Sequence, residues 1–113
     1  ISISHDDYLK AWNELKFLRK SFLLKMNKYD AVLSPTCPIT PPSVQKLLEN
    51  DDFFTKSNLL SLRNTRVANL WGWTSITLPT EIDNCGLMLL SKPNDEINWL
   101  KAAHLIELYF KNN

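Results

Sequence analysis

The sequence predicts a mixed α/β fold in one domain spanning residues 1–113. The order is a long N-terminal helix, a strand, short helices, a β-hairpin and a closing helix. Three observations predict it. Tyr8, Trp12, Leu15, Leu18, Phe22, Met26 and Tyr29 recur at steps of three and four, which draws one apolar stripe along a helix. The β-branched run Thr74-Ser75-Ile76-Thr77-Leu78 and the apolar run Cys85-Gly86-Leu87-Met88-Leu89-Leu90 flank a polar, turn-prone stretch, the pattern of an antiparallel hairpin. Gly72 stands where a helix ending at Trp71 needs a left-handed residue, which glycine adopts without a Cβ penalty. Composition agrees: 44% hydrophobic and 22% charged residues lie in the globular range, and 113 residues suffice for one domain.

The first helix should run over residues 6–28. Asp6 and Asp7 favour its positive N-terminal end and Lys25 and Lys28 its negative C-terminal end. Lys10, Lys16, Arg19 and Lys20 spread over its other faces, a solvated surface before it is a membrane or partner surface. Ala31-Val32-Leu33 reads as a buried strand ended by Pro35. Residues 34–42 hold Pro35, Pro38, Pro41 and Pro42 and should form a stiff extended loop. Ser43 caps a short helix through Asn50, and Asp51-Asp52 marks a solvated break. Thr55 or Ser57 then caps a helix that carries Leu59, Leu60, Leu62, Val67, Ala68 and Leu70 to Gly72. The hairpin pairs residues 75–79 with 86–91. Asn94 or Asp95 caps the last helix, with Trp99, Leu100, Ala103, Ile106 and Phe110 on its apolar face.

Four stretches in this order resemble the amidase signature family. They are Tyr29-Asp30-Ala31-Val32-Leu33-Ser34-Pro35-Thr36, Asn69-Leu70-Trp71-Gly72, Ser75-Ile76-Thr77-Leu78-Pro79 and Gly86-Leu87-Met88-Leu89. The likeness covers most of this chain but only about the last quarter of a typical member. It implies a partial amidase fold, the C-terminal portion of an amidase-like domain, comparable to an amidase or to the A subunit of glutamyl-tRNA amidotransferase. It also implies hydrolysis of a carboxamide by a serine nucleophile in a Ser–cis-Ser–Lys triad. In the family those residues precede the region matched here, so no position of this chain inherits a catalytic role. The family's Pro-Thr loop lies near the mouth of the active-site cleft. Thr36 and Cys37 are therefore the first candidates to line a substrate cleft, and Thr65 and Arg66 the second. The hairpin departs from the family, which usually places Gly and Pro-Val-Gly where this chain has residues 80–86.

An independent site is the weaker expectation. Cys37 and His104 could in principle act as nucleophile and base, but a buried cysteine and a helix-surface histidine are simpler. No Cys-x-x-Cys or His-x-x-x-His spacing suggests a metal, and no glycine-rich loop suggests a phosphate or nucleotide cofactor. Arg66 reads most simply as a partner in a surface salt bridge, and the four tryptophans as core or interface anchors. Two cysteines make no disulfide framework and suit a reducing cytoplasm. Net charge of +1 gives no case for nucleic acid, and no apolar run approaches the ~20 residues that cross a bilayer. The start at Ile1 rather than Met hints at a trimmed chain or a fragment.

Two functional classes follow. One is the C-terminal segment of an amide hydrolase, inactive alone, whose partner is the remainder of the amidase or a second copy packed on an exposed apolar sheet face. The other is a non-catalytic assembly or interaction module that keeps the fold.

Overall fold

Ser4 opens the first helix, its hydroxyl accepting from the Asp7 amide at 3.1 Å. The computed structural model describes residues 3–112; Ile1, where the chain begins, lies outside them. Helix α1 (His5–Met26) is followed by β1 (Val32–Pro35), α2 (Val44–Glu49), α3 (Asp51–Ser61), α4 (Thr65–Trp71), β2 (Thr74–Pro79), β3 (Gly86–Ser91) and α5 (Glu96–Lys111). The expected order of elements is therefore present.

The middle of the chain differs from the sequence reading. Asp51-Asp52 is no break: the two aspartates form the first turn of α3, where carboxylates meet the positive helix end. The cap is Asn50, whose side chain accepts from the Phe53 amide at 2.8 Å. Thr55 and Ser57 lie inside that helix, so neither caps it. The single helix expected up to Gly72 is two, interrupted at residues 62–64. Ser43 and Asp95 occupy cap positions without a side-chain cap bond. Gly72 does take the left-handed conformation at φ 67°, and its amide returns to α4.

The sheet is three-stranded and wholly antiparallel, in the order β1-β3-β2. The hairpin supplies β2 and β3, with Ile76 opposite Leu89. The turn between them replaces glycine with Asn84 at φ 59°, a conformation asparagine tolerates better than most residues. The Thr80 hydroxyl also braces it, donating to the Cys85 carbonyl at 2.8 Å. Cys85 precedes the strand rather than joining it. β1 joins the other side of β3, with Leu33 opposite Leu89.

β3 is the core because both its faces are covered. On one face Leu89, with Leu78 of β2, packs against Trp99 and Ala103 of α5. On the other, Met88 and Leu90 pack against Ala68 of α4, with Val32 and Trp73 at the margin. Helix α1 docks outside α4: Phe22 stacks on Trp71 with ring centroids 4.4 Å apart. Arg19 lies over the C-terminal end of α4 and donates from Nε to the Leu70 carbonyl at 2.7 Å. A cation there meets carbonyls that the helix leaves unpaired. Lys92 closes the other end of α1 by donating to the Asn27 carbonyl at 3.2 Å.

Cover is incomplete elsewhere. α5 spans β2 and β3 but not β1, so Leu33 is 62% exposed although its partner Leu89 is fully buried. Leu100, expected on the apolar inner face of α5, is exposed, and so are Ile97, Leu105 and Tyr109. Apolar residues of α5 thus extend beyond the face that meets the sheet. The chain forms a plate measuring 54 × 46 × 19 Å. Its radius of gyration is 17.5 Å, where about 13 Å is usual for a compact domain of this length. Its surface is 8926 Å², about 2,500 Å² more than a compact monomer of its mass exposes.

One carboxylate links α5 to the sheet. Glu96 accepts from the Thr74 hydroxyl at 3.1 Å and from the Asn94 amide at 3.2 Å. Its own backbone amide, then Thr74, hold its carboxyl below the ordinary value of 4.5. A carboxyl whose folded pKa is depressed adds stability above its unfolded pKa and loses it as pH falls through the folded one. The Asn94 amide resonance should therefore titrate with a midpoint under 4.5 and stop titrating in Glu96→Gln. A midpoint at or above that value would mean the contact is absent in solution.

Candidate functional site

The proline loop after β1 is anchored at its β1 end. At its start the Thr36 amide donates to the Gly86 carbonyl at 2.8 Å, and the Thr36 hydroxyl meets that of Thr77 at 3.0 Å. Asn64, at the entry to α4, donates to the Pro35 carbonyl at 2.8 Å. Cys37 then turns towards α3, with Sγ 3.6 Å from the Ser61 carbonyl. Prolines fix the rest of the path, so the loop stands off α3 instead of collapsing onto it.

The space between them is an open cleft of about 320 Å³. Ile39, Pro41, Pro42, Leu47 and Phe54 give it apolar walls. Its polar atoms come from Cys37, Thr40, Ser57, Asn58, Ser61 and Asn84, and no charged residue lines it. That volume lies at the lower end of small-molecule sites.

The four candidates from the sequence lie at different places relative to this cleft. Cys37 lines the cleft. Thr36 sits one residue outside it, tied into the sheet end. Thr65 and Arg66 lie on the first turn of α4, away from the cleft; the Thr65 hydroxyl donates to the Leu62 carbonyl at 3.1 Å. Arg66 makes no ion pair among the described residues, so the surface salt bridge expected for it is not present. Cys37 is exposed rather than buried, and so is Cys85. Proline stiffness keeps the thiol at an open rim instead of inside a core. His104 is on the outer surface of α5, its Nδ1 3.8 Å from Glu107, and does not line the cleft that holds Cys37. Lys111 lies 2.9 Å from the same carboxylate and is the first cause of its lowered pKa.

Sequence reasoning missed the α3 side of the cleft. Phe54, Ser57, Asn58 and Ser61 follow the spacing i, i+3, i+4, i+7, one face of a helix. That signal was readable, but only with α3 beginning at Asp51. Among the described residues no group of His, Cys, Asp or Glu could hold a metal, and no helix is long and apolar enough to cross a membrane.

Comparison with known proteins gives the family of the chain. The amidase family profile matches residues 2–100. The chain is 32% identical over 109 residues to 2-amino-5-chloromuconic acid deaminase of Comamonas testosteroni, covering 93% of this chain and 23% of that protein. It is 29% identical over 103 residues to the A subunit of glutamyl-tRNA(Gln) amidotransferase from Saccharolobus solfataricus, covering 88% and 21%. The corresponding A subunit from Legionella pneumophila strain Philadelphia 1 is 33% identical over 100 residues, covering 86% and 20%. The chain thus spans about a fifth of the length of the curated relatives it matches. With residues 2–100 matching one profile, and with the hairpin and glycine-ended helix in place, this chain belongs to the amidase family.

Proposed function

We propose that this chain is the scaffold end of an amide hydrolase. It frames part of the substrate cleft, while a serine on another segment attacks the carboxamide and water completes its conversion to carboxylate and ammonia. The chain alone is then inactive. The match over residues 2–100 carries this reading. Its shape supports it: the surface excess of about 2,500 Å² is well above the ~800 Å² that each partner contributes to an interface of standard size.

The partner is the remainder of an amidase chain. Without it, a second copy covers part of the exposed apolar surface. This reading includes no cofactor, nucleic acid or membrane partner. It places the protein in the cytoplasm, where two exposed thiols stay reduced.

A chimera tests the assignment. This chain, substituted for the matching fifth of the Comamonas testosteroni deaminase, should give a protein that releases ammonia, whereas the chain by itself should release none from a simple amide. Ammonia release by the unaccompanied chain would overturn the reading. Sedimentation of the chain should show a dimer or larger species; a compact monomer at high concentration would count against self-association.

A further inference from the structure

We infer that Cys37 and Cys85 form a redox modification site, closing a reversible disulfide that ties the proline loop to the β2–β3 turn. This goes beyond the scaffold reading and does not rest on it. β1 and β3 pair with Pro35 opposite Leu87. The next step is made by a backbone bond, the Thr36 amide donating to the Gly86 carbonyl at 2.8 Å. One step further, the same register sets Cys37 opposite Cys85. Antiparallel pairs alternate, so a bonded Thr36–Gly86 pair makes the next one non-hydrogen-bonded, with Cα atoms about 4.5 Å apart in a regular ladder. Disulfides span Cα separations of about 4.4–6.8 Å. Pro38 also disfavours helical backbone at Cys37 and pushes it toward the extended conformation of a strand residue.

Both thiols are exposed and neither is in a disulfide. Each borders a space that the other segment helps to line. Cys37 shares the cleft with Asn84, the neighbour of Cys85, and Cys85 shares a second hollow with Pro35, on the segment that leads to Cys37. The ladder ends at Pro35 and the chain bends at Thr36, where the Cys37 thiol turns to the Ser61 carbonyl at 3.6 Å. A thiol is a weak donor, so little opposes rotating this side chain away from α3. The oxidant is a low-molecular-weight disulfide such as oxidised glutathione. One cysteine thiolate attacks it, releasing one thiolate and leaving a mixed disulfide; the other cysteine then attacks the protein sulfur of that bond and expels the second. The cysteine pair loses two protons and two electrons, and the reagent gains them as two thiols. Closure draws the Cys37 thiol out of the cleft and fastens the loop to the turn that carries Asn84. Exposed disulfides are the labile ones, so the bond opens again under reducing conditions.

The full chain, reduced and then treated with excess oxidised glutathione, should lose two hydrogens in intact mass. It should run as a single chain on a denaturing gel without reductant and resist alkylation by N-ethylmaleimide. Proteolysis should yield a peptide pair joining Cys37 to Cys85. Cys37→Ser and Cys85→Ser should each stop at the mixed disulfide. The closing step separates position from mere exposure. It should run about tenfold or more faster in the folded chain than in concentrated urea, where the same thiols meet only across a long flexible loop. A closing step no faster than in urea, glutathione retained on both cysteines, or disulfides formed only between chains would each overturn the inference.

Discussion

Trp99→Ala should lower the free energy of unfolding by about 3–5 kcal/mol, the range for truncating a large buried aromatic. Trp99 lies in the main core cluster with Leu78, Leu89 and Ala103, and Ile76, Leu87 and Ile106 pack around it. It is the principal large side chain joining α5 to the sheet. Removing it opens a cavity that β3, paired on both edges, cannot collapse to fill. The indole also has a liability: its Nε1 is buried without a hydrogen-bond partner among the described residues. A buried unpaired donor costs about 1–3 kcal/mol. Trp99→Phe removes that donor while keeping much of the apolar volume, so it should lose less than half of what alanine loses. Chemical denaturation followed by far-ultraviolet circular dichroism measures both. Equal losses in the two variants would show that the indole hydrogen is satisfied in solution.

Gly86→Ala should cost about 1–3 kcal/mol through overpacking, although glycine usually weakens a strand. A Cβ at this position would lie 2.9 Å from both Thr36 Oγ1 and Thr77 Cγ2. Both belong to short β-branched side chains with little freedom to withdraw. The contact is needed because Gly86 lies between the end of β2 and the start of the proline loop, and its carbonyl receives the Thr36 amide. Thr77→Ser removes the offending methyl but retains the hydroxyl that meets Thr36. In the Gly86→Ala background it should therefore recover part of the loss, a coupling that a double-mutant cycle isolates. The loop leads directly to Cys37, so the same cycle should appear in the rate of Cys37 alkylation. Additive effects of the two substitutions would refute the proposed clash.

Local chemistry made several features readable. Steps of three and four in residues 8–29 gave α1, and its apolar stripe includes Phe22, which stacks on Trp71. Two short apolar runs around a polar turn gave the hairpin. Gly72 marked the end of α4 because its backbone conformation belongs to its own residue type. Where signals competed, the reading was less secure. Thr55 and Ser57 are both generic capping residues, and choosing between them misplaced the start of α3. Asn50 followed by two aspartates was the better signal, since it supplies a side-chain cap and then two anions at the positive helix end.

By itself, then, the sequence determined the kinds of element, their order and the family, because periodicity, β-branching and glycine conformation act within a few residues. Tertiary structure alone decided that β1 pairs with β3, more than fifty residues later, and that β3 is the strand covered on both faces. It alone opened the cleft, by setting a proline loop against one face of α3, and it alone left Ser57 largely buried and the Cys37 thiol exposed. Such properties depend on which distant surfaces meet, and burial is a relation between segments that no local pattern encodes.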